Sequence, residues 1–433
     1  MYFHKSTLCA LLFFLINASG FAQLSKVEKR LVKHIDDEND AAITLLKEVV
    51  NINSGTMNFD GVAEVGQVFI EKFKELGMQA VWEDGSAFNR SGHVVAKIEG
   101  GKGKKIMMIG HLDTVFEKDS PNQEWIPLEG NIVKGPGVAD MKGGNVIILQ
   151  TLTALHKQGL LSKMNITVVL TGDEEKSGRP LNLSKKALVD AAKWADIALG
   201  FENGDGNPST AVVARRSSSD WVLNVSGVAS HSSQIFKPHV GAGAINEASR
   251  ILHQFYEQLS SEKYLTFSPG VIVGGTTVSH DTNLNSGTAY GKNNVVPKEL
   301  SVAGDIRCIS IEQLKKTQAA MKAIVANHLP QTDATITFSE GYPPFSLSDS
   351  NYELLEKFSQ ASQDLGFGKV NPVDPGDAGA ADISFTSEYI DMGLDGLGLG
   401  GSHGHTIDET GDLNTLPMQT KRAAVLIYRL TEK

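Results

Sequence analysis

The chain has 433 residues, of which 41% are hydrophobic, and a formal net charge of −10 at pH 7. These values indicate an ordered globular protein that is long enough for more than one domain. The acidic balance argues against a nucleic-acid partner, because binding phosphates needs a basic surface.

Residues 1–22 have the features of an export signal. Lys5 precedes the apolar run Leu8–Ile16, and small residues come just before Gln23. The run is too short to cross a bilayer, which needs about 20 residues. We therefore expect a cleaved signal peptide, a secreted or periplasmic protein, and no membrane contact after cleavage. Cleavage removes Cys9 and leaves Cys308 alone, which excludes an intramolecular disulfide and a cysteine-based zinc site.

Residues 23–212 alternate between helical and strand-like patterns. Helical spacing is found at 26–50, 61–76, Asn145–Lys157 and Ser184–Trp194, and short apolar runs are found at Val94–Ile98, Ile106–Ile109, Ile166–Leu170 and Ile197–Leu199. Strands that alternate with helices predict an α/β sheet with parallel members, covered by helices on both faces. We interpret this segment as the first part of a catalytic domain.

Residues 213–329 have a different pattern, which predicts a small α+β domain inserted into the larger one. Its expected elements are a strand at Trp221–Gly227, a helix at Ala242–Leu259, strands at Val271–Val278, Thr288–Val296 and Leu300–Cys308, and a helix at Ile311–His328. The sheet should be largely antiparallel. Residues 330–433 are expected to return to the α/β domain, beginning with a strand at Ala334–Phe338 and ending with a helix from Pro417.

Residues suited to metal binding follow the apolar runs in five segments. They are His111 and Asp113, then Asp140 in the glycine-rich stretch Gly135–Gly144, then Glu174 and Glu175, then Glu202, and finally His405 in the stretch Gly396–Glu409. Because sites in open α/β sheets lie at the carboxyl ends of strands, we expect these segments to converge.

Taken singly, each segment also fits a simpler interpretation: a helix-capping aspartate, a solvated acidic loop or a surface histidine. Together they supply histidine and carboxylate side chains, which are zinc ligands, in an incomplete shell that leaves room for water. A carboxylate shared by two ions about 3.5–4 Å apart is typical of two-metal hydrolases. The combination therefore predicts a two-metal site.

The same motifs, in the same order and over nearly the whole mature chain, resemble the M20 family of metallopeptidases and, within it, the glutamate carboxypeptidase-like branch. The resemblance implies an α/β zinc-peptidase catalytic domain with an inserted α+β lid or dimerisation domain. It also implies two Zn²⁺ ions per subunit, one bound by His111, Asp140 and Glu202 and the other by Asp140, Glu175 and His405. His405 is preferred to His403 because His405-Thr-Ile-Asp-Glu matches the closing motif of the family. A cis peptide is implied at Asp140–Met141.

The resemblance also implies roles for other residues. Asp113 would support His111, and Glu174 would be the general base on a water between the zincs. Gly227-Val-Ala-Ser-His231-Ser resembles a lid motif whose histidine reaches the partner subunit's site and stabilises the oxyanion, which implies a homodimer. Arg307 and Asn294 resemble lid residues that receive the free carboxylate of the substrate. The implied reaction cuts the amide bond next to a C-terminal amino acid.

Several alternatives stay open. Within the family, the chain could be a dipeptidase or a deacylase of N-acyl amino acids, and no arginine occurs in Ser339–Phe345, where glutamate-specific relatives have one. A non-catalytic binding protein on the same fold is an alternative of another class. A serine hydrolase is suggested formally by Gly-Gly-Ser-His-Gly at 400–404, but that nucleophile elbow needs a later acid followed by a histidine. His405 and a short tail are all that follow, so we reject this alternative.

Overall fold

The computed structural model describes residues 24–121, 123–281 and 284–432. The expected signal peptide, residues 1–22, lies outside the described residues. No helix in the described ranges combines the length and the apolar character needed to cross a membrane.

The described residues form ten α-helices and eighteen β-strands. The α-helices are α1 (Lys26–Asp37), α2 (Asn39–Val50), α3 (Phe59–Glu75), α4 (Gly143–Lys157), α5 (Leu181–Ser184), α6 (Lys186–Trp194), α7 (Ala244–Leu259), α8 (Ile311–Val325), α9 (Asp349–Asp364) and α10 (Thr415–Thr431). The strands are β1 (Gln79–Asp84), β2 (Gly92–Glu99), β3 (Lys105–His111), β4 (Ile126–Pro127), β5 (Ile132–Lys134), β6 (Asn165–Thr171), β7 (Ile197–Gly200), β8 (Thr210–Ala211), β9 (Ser219–Gly227), β10 (Thr266–Gly275), β11 (Thr277–Asp281), β12 (Ser286–Tyr290), β13 (Glu299–Arg307), β14 (Thr332–Phe338), β15 (Asn371–Pro372), β16 (Met392–Leu394), β17 (Gly401–Ser402) and β18 (Thr410–Asp412).

The larger sheet has six strands in the order β1-β2-β6-β3-β7-β16. Strand β3 pairs in parallel with both β6 and β7, and β16 pairs in parallel with β7. Strands β1 and β2 form an antiparallel edge. Every residue of β6 and β7 is buried, which fits the near-continuous apolar runs expected of parallel strands. The predicted α/β sheet with parallel members is confirmed.

Both faces of this sheet are covered, because successive side chains of a strand point to opposite faces. Ile106 and Met108 of β3 pack into the core that includes residues of α4 and α10. Met107 and Ile109 pack into a separate core that includes Leu188 of α6. Strand β3 therefore contributes to a separate core on each face of the sheet.

A second sheet of four antiparallel strands, in the order β10-β13-β9-β14, forms the small α+β unit, which we call the lid. Its core contains Trp221 and Val302 from the sheet, Ile251 and Phe255 from α7, and Met321 from α8. The predicted insertion with a largely antiparallel sheet is present.

The lid differs from the expectation in two places. Strand β14, which we expected in the second part of the catalytic domain from residue 330 onward, pairs with β9 and belongs to the lid sheet. Its alternating half-buried and exposed residues fit a sheet that is covered on one face. The expected strand Thr288–Val296 ends at Tyr290, because β12 pairs with β11 as a hairpin and the chain then turns at Lys292–Val295.

Candidate metal centre

Three neighbouring parallel strands bring acidic and histidine side chains to one edge of the larger sheet. His111 is the last residue of β3, Glu174 and Glu175 follow the end of β6, and Glu202 follows the end of β7. Carboxyl ends of parallel neighbours meet at the same sheet edge, which is why segments distant in sequence converge here.

Asp140 reaches this edge from the loop that precedes α4. Gly137 has a φ of 69°, in the left-handed region that glycine adopts at little cost. At Gly144, a Cβ atom would lie 2.0 Å from the carbonyl oxygen of Phe201, so only glycine lets the start of α4 approach the end of β7. The Asp140–Met141 peptide is cis, as the resemblance implies.

The loop before α4 is also fixed by Glu409, a residue to which the sequence assigned no role. Its Oε1 accepts hydrogen bonds from the amides of Ala139 (2.9 Å) and Asp140 (3.0 Å), and its Oε2 accepts one from Gly137 (3.2 Å). Burial raises the pKa of Glu409 to about 7. This carboxylate positions the backbone that carries Asp140.

Five side chains form two groups with metal-ligand geometry. In the first, His111 Nε2 lies 3.2 Å from Asp140 Oδ1 and 3.3 Å from Glu202 Oε1. In the second, His405 Nε2 lies 3.0 Å from Asp140 Oδ2 and 3.2 Å from Glu175 Oε2. Asp140 belongs to both groups and turns one oxygen toward each histidine. We call these five residues the ligand cluster.

The donor set and its spacing fit divalent cations. Donors about 2.0–2.2 Å from a tetrahedral zinc lie roughly 3.3–3.6 Å from one another, close to the separations in both groups. Glu175 Oε1 is buried and has no hydrogen-bond partner among the described residues, which a neighbouring cation would remedy. Each group would offer three protein ligands to an ion and leave a position for water or substrate, as in catalytic zinc sites.

Of the two histidines in the stretch Gly396–Glu409, His405 lies in the ligand cluster and His403 does not. His403 Nδ1 contacts Ser402 Oγ at 3.1 Å, whereas His405 contacts Asp140 and Glu175. Ser402 itself lies in β17, and its hydroxyl contacts that of Thr410 at 2.9 Å. The next α-helix begins only at Thr415, so the strand–turn–helix of a serine nucleophile elbow is not formed.

Burial and neighbouring charges shift pKa values in the ligand cluster and at Glu174 beside it. Hydrogen bonds to Asp140 and Glu175 raise the pKa of His405 to about 11. Burial, reinforced by the charge of Asp140, raises the pKa of Glu202 to about 7. Burial also raises the pKa of Glu174 well above its ordinary value. Crowded carboxylates of this kind favour cation binding, because a cation stabilises their charged forms.

Asp113 contacts His111 mainly through its backbone carbonyl and not, as expected, through its carboxylate. His111 Nδ1 lies 2.9 Å from the backbone carbonyl oxygen of Asp113 and 3.5 Å from its carboxylate. A hydrogen bond from Nδ1 to that carbonyl leaves the Nε2 lone pair directed at the cluster. The carboxylate instead accepts hydrogen bonds from Thr56 Oγ1 and from the amides of Glu174 and Glu175.

The other candidate residues lie on the lid. His231 and Asn294 are neighbours, since the amide of Ser232 donates to the carbonyl of Asn294 at 2.9 Å. Arg307 is at the far end of β13 and pairs with Asp305 at 2.9 Å. Among the hydrogen bonds and ion pairs of the described residues, none joins His231, Asn294 or Arg307 to the ligand cluster.

The model of peptidase family M20/M25/M40 matches residues 107–429, and this match decides the classification. The chain belongs to this family. The match spans the ligand cluster and the lid, so the resemblance to M20 metallopeptidases is confirmed, and the chain is a metal-dependent hydrolase of family M20. A non-catalytic binding protein is therefore set aside.

Individual relatives agree with this classification. Carboxypeptidase G2 from Pseudomonas sp. is 27% identical over 99% of this chain and 98% of its own length. Succinyl-diaminopimelate desuccinylase from Gluconobacter oxydans is 26% identical over 74% of this chain and 80% of its own.

Solved structures share the fold. Aminopeptidase PepT from Bacillus cereus aligns with a TM-score of 0.71 at 19% identity, over 91% of this chain and 99% of that one. The YXEP protein from Bacillus subtilis, a dinuclear metal-binding peptidase of the M20 family, aligns with a TM-score of 0.64 at 15% identity, over 92% of this chain and 99% of that one. At these identities the likeness shows the α/β fold with its lid and no more.

Proposed function

We propose that this M20 enzyme is a two-zinc carboxypeptidase that hydrolyses the amide bond next to a C-terminal amino acid with a free carboxylate. One observation carries the proposal: Asp140 turns its two oxygens to two separate histidine–carboxylate groups. A shared carboxylate between two such groups suits a pair of ions that act on one water. The similarity to carboxypeptidase G2 over almost the whole chain supports the substrate class.

The chain's own residues would divide the reaction between them. Bound zinc ions lower the pKa of water and polarise the substrate's carbonyl group. Glu174 accepts the proton that the attacking water loses and gives it to the leaving amine nitrogen as the C–N bond breaks. His231 donates a hydrogen bond to the oxygen that gains negative charge. The guanidinium of Arg307 binds the substrate's carboxylate through paired N–H groups.

The arrangement of the lid supports a homodimer. Asn294 precedes β13 at the end where Glu299 pairs with Ser226, and Arg307 is at the other end of the strand. Eight residue steps of an antiparallel strand span about 27 Å. Asn294 and Arg307 of one chain therefore cannot bind the same carboxylate. Both can serve one site only if they come from two copies of the chain, and we propose that Asn294, together with His231, comes from the second copy.

Mixing two inactive variants tests this dimer. His231→Ala and Glu174→Gln are each expected to be inactive, whereas a co-refolded mixture should recover about a quarter of wild-type kcat, because half the dimers are mixed and each has one intact site. His231→Ala mixed with Asn294→Ala is the matched control, since every site then receives a defective lid. Recovery no greater than in the control would contradict a shared site.

A second candidate within the family is a deacylase of N-acyl amino acids. The desuccinylase relatives favour it, because those enzymes are named for the removal of an acyl group. Both candidate enzymes cleave an amide bond, but one recognises the C-terminal amino acid and the other the acyl group. The expected substrate is therefore a small peptide or an N-acyl amino acid.

Chelation and a substrate panel test the proposed activity together. EDTA should abolish turnover, added zinc should restore it, and a serine-directed reagent should leave it unchanged. Capping the substrate's carboxylate as an amide should lower kcat/KM by about 10- to 100-fold, because it removes a charge-assisted hydrogen bond. Activity that survives EDTA, or equal rates on free and amidated substrates, would contradict the carboxypeptidase proposal.

We also propose that the mature enzyme is secreted or periplasmic. The support is the pattern of residues 1–22, with a positive residue, a short apolar run and small residues before Gln23.

A further inference from the structure

The loop that carries Glu174 is fixed on several sides. We call residues 173–178 the base loop. Asp113 Oδ1 accepts a hydrogen bond from the amide of Glu174 at 3.1 Å, and its Oδ2 accepts one from the amide of Glu175 at 3.2 Å. On the other side, the guanidinium of Arg90 donates to the carbonyl oxygens of Lys176 (2.6 Å) and Ser177 (3.0 Å).

The carbonyl group of Glu174 has its own partner, Tyr342. The tyrosine hydroxyl lies 3.0 Å from that carbonyl oxygen, within reach of Asp382 Oδ1 at 3.2 Å, and accepts a hydrogen bond from Ser177 at 3.2 Å. Tyr342 follows the last lid strand by four residues, in the segment where the chain returns to the catalytic domain. Burial raises the pKa of Tyr342 well above its ordinary value, so the hydroxyl keeps its single hydrogen at neutral pH, and the carbonyl oxygen of Glu174 is the nearer of its two acceptors.

Buried charges keep the hydroxyl in place. Lys185 Nζ lies 2.8 Å from Asp173 Oδ1 and 3.2 Å from Asp382 Oδ1, and these three side chains are at most 3% exposed. The same ammonium group lies 5.3 Å from the centre of the Tyr342 ring. Fully paired buried networks hold their members in one arrangement, because an unpaired member would be costly.

These contacts fix one particular peptide unit. The carbonyl of Glu174 and the amide of Glu175 belong to the same planar group, so the plane is bonded at one edge by Tyr342 and at the other by Asp113. Rotation of this plane would change ψ of Glu174 and φ of Glu175. One of these residues is the proposed base and the other lies in the ligand cluster.

We propose that Tyr342 is a positioning residue whose hydroxyl fixes the Glu174–Glu175 peptide plane and thereby aims the Glu174 carboxylate. The aromatic ring of Tyr342 packs against Phe385, with ring centres 4.9 Å apart. A phenylalanine at position 342 would keep this packing. The hydroxyl, by contrast, makes hydrogen bonds to Glu174 and Ser177 of the base loop.

Tyr342→Phe tests this role, which rests on the proposed function of Glu174. Misplacement of a catalytic group by about 1 Å can cost 10²-fold in rate, so we expect kcat to fall about 10- to 100-fold with KM within about twofold of wild type. Metal content should match that of the wild type, because Asp113 still accepts a hydrogen bond from the amide of Glu175. The thermal unfolding midpoint should fall by about 1–4 °C, because the buried carbonyl of Glu174 loses its hydrogen-bond partner. Tyr389→Phe is the matched control, because it removes a hydroxyl from a 43% exposed tyrosine whose ring lies near Lys193, and its kcat should not change.

The outcomes separate this inference from the proposed function. Wild-type kcat in Tyr342→Phe, with Glu174→Gln inactive, would overturn the positioning role alone. Loss of metal, or a fall in the midpoint well beyond about 4 °C, would show a structural role and would also overturn it. Full turnover in Glu174→Gln would instead refute the base that Tyr342 is proposed to aim.

Discussion

Replacing Glu174 with glutamine is expected to lower kcat by about 10²- to 10⁴-fold, the range that general acid–base catalysis contributes. Glutamine has nearly the same size and shape but cannot accept the proton of the attacking water or return it to the amine. Glu174 supplies no atom to either metal-ligand group, so the variant should bind metal as the wild type does. Its backbone amide bonds Asp113 in either case, so the base loop should also persist.

Three measurements on the same preparation check this prediction: kcat on a cleavable substrate, metal content by elemental analysis, and the thermal unfolding midpoint. Glu75→Gln is the control, because it makes the same change on a side chain that is 64% exposed on α3, and it should retain full activity. A Glu174→Gln enzyme with wild-type kcat would refute Glu174 as the base.

The metal-binding segments were predictable because parallel strands end at one edge. His111, Glu174, Glu175 and Glu202 each follow a buried apolar run, and β3, β6 and β7 are neighbours in the sheet. Asp140 and His405 lie on loops, so strand ends alone do not place them, and their selection needed the joint motif. The choice of His405 over His403 depended on the sequence after it and not on any local physical difference.

The supporting residues were not predictable, because they act across long sequence separations without a local pattern. Glu409 accepts a hydrogen bond from the amide of Asp140, which lies 269 positions away in the sequence. Tyr342 donates one to the carbonyl of Glu174, which lies 168 positions away. Lysine side chains are rarely buried, yet that of Lys185 is 1% exposed. Only the tertiary fold shows that its charge is paired within the core.

The C-terminal boundary of the lid was placed too early in the sequence analysis. The strand Thr332–Phe338 alternates between half-buried and exposed residues, like Ser219–Gly227 with which it pairs, and unlike the fully buried strands of the larger sheet. This alternation is typical of the antiparallel lid sheet, whereas our prediction assigns the strand to the second part of the larger domain. Periodicity was the better guide, because it reports which faces of a strand are covered.

Asp140→Asn is expected to reduce the metal content of both sites at once and to lower kcat by about 10³-fold or more. The asparagine side chain offers one neutral oxygen and an NH₂ group that donates hydrogen bonds, so each group loses an anionic ligand. Charge stabilisation by metal ions is worth several kcal/mol in the transition state, and each 1.4 kcal/mol is a factor of ten. Glu409 bonds the backbone amide at 140 and not the side chain, so the loop should keep its place.

Comparison with single-group variants makes the shared role of Asp140 measurable. Glu202→Gln weakens only the group of His111, and Glu175→Gln only the group of His405, so each should retain one tightly bound ion where the wild type binds two. Asp140→Asn should retain less bound metal than either of these two glutamine variants. Asp37→Asn, on a helix surface, is the control and should keep both ions. If Asp140→Asn keeps two ions while the glutamate variants lose one each, Asp140 does not connect the two groups, and the two-metal mechanism loses the residue on which it depends.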